Sequence, residues 1–133
     1  MFSSLFLNLP VANVAASKAF FEGLGIPFNE QFTDERTLCL KVSDGVQVML
    51  SDREKFQHFV GDNAIAGPRT TEVILSFACV SAEQVSQLSE KAFALGARKV
   101  NELEDHGFMI SWGFEDLDGH LWDLFWFNTE HEG

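Results

Sequence analysis

The run "DLDGHLWDLFWF", Asp116 to Phe127, sets one carboxylate, Asp123, among large apolar and aromatic side chains. Aspartate suits a strand poorly and is seldom buried without a partner. Alternation along a strand puts His120, Trp122, Leu124 and Trp126 on one face and Leu121, Asp123, Phe125 and Phe127 on the other. Both faces are apolar, so Asp123 has to be hydrogen-bonded, paired, metal-bound or protonated, because an ionised, isolated carboxylate is costly to bury. Three chemistries follow: a metal ligand, an anchor for the polar end of a small molecule, or a general acid or base with a raised pKa.

The other reactive side chains carry less. His58 falls in a linker, His106 precedes Gly107 in a loop, His131 sits in an acidic tail, and His120 lies on the face opposite Asp123. Ser51 and Cys79 have no nucleophile context, and no G-x-S-x-G is present. Arg69 is read as a surface residue, with bidentate pairing to a ligand carboxylate as the alternative. Trp122 and Trp126 are expected to pack on a helix, and Phe125 and Phe127 to line a cavity. Cys39 and Cys79 are the only cysteines, without a CxxC or a Cys/His cluster, and read as buried thiols in a reducing compartment.

The elements that position Asp123 occur twice. "SLFLNLPV" reads as a strand; the helix of "NVAASKAFFEGLGI" is capped by Asn13 and stopped by Gly25. The strands "PFNEQF", "TLCLKV" and "VQVMLS" follow, the last two joined through Asp44-Gly45. In the second half come "TEVILSFACV", a helix opened by Ser81 with Gln84 and closed by Gly96, then "ARKVNEL", "GFMISWGFE" and "HLWDLFWF". The expected fold is α+β: two βαβββ modules forming a cup-shaped, curved mixed sheet with helices outside. Module one spans about residues 3–52, a linker with a short helix around Glu54 to Val60 spans 53–71, and module two spans 72–128, together one domain of residues 1–128 before the tail 129–133. Overlaying the two Asp-Gly hairpins sets Met49 on Asp123, and overlaying Val11 on Val80 sets Phe6 on Leu75.

Composition narrows the partners. A net charge of −11, from 9 basic and 20 acidic residues, argues against nucleic acid and favours a neutral or cationic small ligand. No stretch approaches the roughly 20 apolar residues of a membrane span, and the apolar opening lacks the basic start of a secretion signal, so cytoplasmic residence is expected.

The opening "NLPVANVAASKAFFEGLGIPF", the two modules and the closing "FEDLDGHLWDLFW" together resemble the vicinal oxygen chelate superfamily of glyoxalase, bleomycin-resistance and extradiol-dioxygenase proteins. Within it the chain is most similar to a bacterial group of predicted lactoylglutathione lyases or glyoxalase-like proteins, over nearly the whole length from Ser3 to about Asn128. The resemblance implies a homodimer and, in metal-dependent members, four inward side chains around nickel, zinc, iron or manganese. Those positions fall on Phe6, Met49, Leu75 and Asp123, of which only Asp123 is a ligand such metals favour, so the full metal site is not expected. A one-residue shift brings in Ser76; a two-residue shift brings in Asn8, Ser51 and Phe77. The expected function is binding of an aromatic or cationic small molecule in an apolar cup lined by Phe6, Asn8, Met49, Ser51, Leu75, Phe77 and Phe125 and anchored by Asp123. The alternatives are a metal-dependent lyase of glyoxalase type and a metal-free acid/base enzyme using Asp123.

Overall fold

The computed structural model describes residues 1–67 and 69–128; Pro68, His131 and the rest of the acidic tail lie outside them. The fold is α+β, with two mixed sheets in two compact units, Met1–Ile65 and Ala66–Gly133. The division falls inside the stretch read as a linker.

In the first unit, β1 (Leu5–Val11) runs into α1 (Val14–Leu24). The Asn13 side chain accepts from the Ala16 amide at 3.0 Å, and Gly25 at φ 84° takes the left-handed turn that ends the helix. Val14, Ser17, Phe20, Phe21 and Leu24 form the buried stripe of α1. β2 (Thr37–Ser43) and β3 (Val46–Asp52) make an antiparallel hairpin, and β1 adds to β3 in parallel, giving the order β1-β3-β2. Leu38, Leu40, Val48 and Leu50 have no exposure and form the core of this unit. Asp52 then caps α2 (Arg53–Val60), where the linker helix is expected.

"PFNEQF" does not form a strand. Only the Phe28–Leu40 bridge survives there, and Glu30–Phe32 turns into a short 3-10 helix. The cause is local: the Asn29 side chain accepts from the Gln31 amide at 3.1 Å, a bond that competes with strand pairing.

In the second unit, β4 (Ile74–Ala78) leads through the Ser81 cap into α3 (Ala82–Ala94). β5 (Glu104–Asp105), β6 (Met109–Glu115) and β7 (Leu121–Phe127) complete a sheet in the order β4-β7-β6-β5. "ARKVNEL" also departs from expectation. It contributes the isolated Arg98–Glu115 bridge, reinforced by an ion pair at 3.0 Å, and ladder pairing resumes only at Glu104. Val100 and Leu103 stay exposed, so this segment buries no apolar face as a strand. No helix among the described residues is long and apolar enough to cross a membrane.

Candidate functional site

Register decides which side chains can meet Asp123. β4 and β7 run in parallel with Leu75 opposite Trp122, Ser76 opposite Asp123 and Phe77 opposite Leu124. Leu75 and Phe77 therefore share the face of Trp122 and Leu124, and Phe114 joins them; Leu75, Trp122, Leu124 and Phe114 are all buried. α3 packs on this sheet, and Phe93 of α3 meets Trp112 of β6 edge to face with centroids 5.2 Å apart. Placing Leu75 and Phe77 beside Asp123 is thus corrected: Ser76 holds that position, one residue from the Val11–Val80 overlay. In the first unit Asn8 lies opposite Met49 and Phe6 opposite Gln47, so the strand neighbour of Met49 is Asn8, not Phe6.

Asp123 itself is half-buried and bonded twice. The Ser76 hydroxyl donates to Oδ2 at 3.2 Å, and the Ser111 hydroxyl, diagonal on β6, donates to Oδ1 at 3.0 Å. Ser111 had no signal in the sequence beyond its place in "GFMISWGFE"; only the β6–β7 register brings it across. Gly113 sits directly opposite Asp123, and a Cβ built there would lie 2.0 Å from the Trp122 carbonyl oxygen, so the close approach of these strands requires glycine. The resulting groove, about 230 Å³, crosses the four strands and is lined by Ser76, Asp123, Ser111, Gly113 and Glu104, with Trp112 among its walls. Further along the same strands Phe125 and Phe127 meet edge to face at 5.4 Å, and Phe108 stacks on Phe127 at 6.5 Å.

A second carboxylate escaped the sequence reading. Asp116, 6% exposed, accepts from the Asp118 and His120 amides at 2.9 and 3.0 Å and from the Trp122 indole at 3.0 Å. Burial pushes its pKa up, against the opposing pull of nearby His120 and of these donors. Its three bonds hold the turn between β6 and β7, the hairpin that presents Asp123. The signal was Asp at the head of an Asp-x-Asp-Gly turn, a residue type that bonds its own backbone two residues on.

The matching face of the first unit spends its polar groups internally. Ser51, 1% exposed, pairs with the Thr37 hydroxyl at 3.2 Å, and Lys55 donates to Thr37. Gln47 Oε1 accepts from Asn29 at 2.7 Å and from the Cys39 thiol at 3.1 Å. Ser51 is thus enclosed rather than open to a ligand. Phe6 is exposed and packs edge to face on Phe32, while Asn8 donates to the Phe6 carbonyl. His58 lies on α2, and His106 contacts Glu104 at 3.2 Å.

A family model for the Glyoxalase/Bleomycin resistance protein/Dioxygenase superfamily matches residues 4–124. The chain belongs to this superfamily. A hypothetical protein from S. aureus is similar over 94% of both chains, with 25% identity and a TM-score of 0.79. A glyoxalase-related enzyme from Fulvimarina pelagi is 19% identical over 95% of this chain and 88% of its own, with a TM-score of 0.81. A genomically encoded fosfomycin resistance protein from Listeria monocytogenes covers 100% of both chains at 19% identity and a TM-score of 0.70, a likeness of fold. No curated protein matches the chain.

Superfamily membership raises the question of a divalent metal. Strand pairing sets Asn8 opposite Met49 in the first unit and Ser76 opposite Asp123 in the second. Neither pair, an amide with a thioether or a hydroxyl with one carboxylate, offers the imidazole and carboxylate set that nickel, zinc, iron or manganese favours. Among the described residues no three His, Cys, Asp or Glu side chains cluster to replace it.

Proposed function

We propose that this superfamily member binds a small aromatic or cationic molecule through Asp123 without relying on a divalent metal. The observation that carries the reading is the pairing of both Asp123 carboxylate oxygens with serine hydroxyls on a sheet face that also carries Phe125 and Phe127, with Phe108 stacked on Phe127. Such a carboxylate is pre-organised by its neighbours rather than by a metal, and the aromatic rungs beside it supply apolar contact area. Cytoplasmic residence and a homodimer belong to the same proposal. The former rests on the two free cysteines, Cys39 and Cys79, whose burial raises their thiol pKa values.

The decisive experiment is elemental analysis of protein purified without added metal, followed by a thermal-shift ligand screen before and after chelation. The expected outcome is substoichiometric nickel, zinc, iron and manganese, with ligand-induced stabilisation that survives chelation and is lost in Asp123→Asn. Stoichiometric metal, together with turnover of the hemithioacetal of methylglyoxal and glutathione, would instead establish the glyoxalase-type lyase. Product formation that survives chelation and disappears in Asp123→Asn would make Asp123 a metal-free acid or base.

A further inference from the structure

The hydrogen-bond directions around Asp123 narrow the ligand class, an inference that rests on the small-molecule reading above. An ionised carboxylate only accepts, so the hydroxyl protons of Ser76 and Ser111 are both committed to it. What those two hydroxyls still offer the groove is lone pairs. Glu104, lining the same groove across β5, adds a further acceptor carboxylate, which His106 touches from one side. Asn101, also in the lining, is the one side-chain amide able both to donate and to accept, while the Trp112 and Trp122 indoles already donate to the Asn101 carbonyl and to Asp116. The hydroxyl and carboxylate groups of the groove therefore form a row of acceptors: Ser76, Asp123, Ser111 and Glu104, one strand to the next.

We propose that this row takes a protonated amine or amidinium group bearing several N–H donors, with an attached ring lying toward Phe125 and Phe127. A carboxylate, phosphate or carbonyl end would meet lone pairs and negative charge along the row, with only the Asn101 amide among the lining side chains left to donate to it. A quaternary ammonium carries the charge but no donor. At about 230 Å³ the groove is below the roughly 300–1,000 Å³ of sites that enclose drug-sized ligands, so it accommodates a head group or a single ring.

The test is a matched probe set titrated against the intrinsic emission of the wild-type chain, whose Trp112 and Trp122 line the groove. Benzylamine and benzamidine should bind about tenfold or more tightly than benzyl alcohol, phenylacetate and benzyltrimethylammonium, the discrimination expected of one charge-assisted hydrogen bond. Asp123→Asn, with folding checked by circular dichroism, should erase that discrimination. Equal binding of benzyltrimethylammonium or of the neutral and anionic probes overturns the donor assignment while leaving a ligand-binding protein. Absence of binding by all five probes also overturns it, and the thermal-shift screen then judges the broader reading separately. Displacement of benzylamine by millimolar magnesium or calcium would reassign the acceptor row to a hard cation and overturn the amine.

Discussion

At the residue scale, Asp116 and Asp123 of the β6–β7 hairpin have opposite duties. Asp123 faces an open groove, whereas Asp116 is enclosed and satisfies three donors. Asp116→Ala leaves two amides and the Trp122 indole without their acceptor, and should cost about 3 kcal/mol by urea denaturation, on the usual penalty for stranded buried donors. The pH dependence has a definite sign. Because burial raises the folded pKa of Asp116 above 3.8, the folded state binds this proton more readily than the unfolded state. Its contribution therefore becomes more favourable as pH falls through the raised value toward 3.8. Asp52 acts in the reverse sense: its bond to Arg36 lowers its pKa to about 2, so its contribution is lost as pH falls from 3.8 through that value. Stability profiles of Asp116→Asn and Asp52→Asn against pH should depart from wild type with opposite slopes, and parallel profiles would refute the assignment. Asp123 was legible in the sequence as an out-of-place carboxylate; its serine partners were not, because hydroxyls in strands carry no periodic signal.

At the element scale, the caps, hairpins and helices were readable, since Asn13, Ser81, Gly25 and the Asp-Gly pairs act through their immediate neighbours. What the sequence left open was lateral register between β4 and β7. A one-residue offset exchanges Leu75 for Ser76 and turns an apolar corner into a hydroxyl donor. "PFNEQF" and "ARKVNEL" failed for the complementary reason, since local side-chain bonds and the lack of a buried face outweighed apparent strand patterning. Two substitutions test the packing of the second sheet. Gly113→Ala would force its Cβ into the Trp122 carbonyl, so loss of the folded second unit is expected in proteolysis or hydrogen exchange, whereas Gly45→Ala meets only the Ser3 carbonyl at 3.8 Å and should be tolerated. Ser89 of α3 is buried and its hydroxyl finds no partner among the described residues, so Ser89→Ala should raise stability by about 1 kcal/mol.

At the scale of the whole molecule, the repeat was visible as an order of elements, and it is met by two mixed sheets each served by a helix. The copies differ in what the matching sheet faces do. In the first unit Thr37, Ser51, Gln47 and Cys39 bond within their own unit, while in the second Ser76, Ser111 and Asp123 line a groove. The net charge of −11 adds a long-range attraction for cations. Benzylamine affinity should therefore fall several-fold between about 50 and 500 mM sodium chloride, as screening shortens the reach of that charge, and a salt-independent constant would remove electrostatics from the account. The Asp116 clamp and the Gly113 contact have a further consequence for descent. A slip of one residue in this hairpin would turn Asp123 toward α3, so lineages that keep the groove should hold Gly113 and Asp116 as tightly as Asp123, although neither reaches a ligand through its own chemistry.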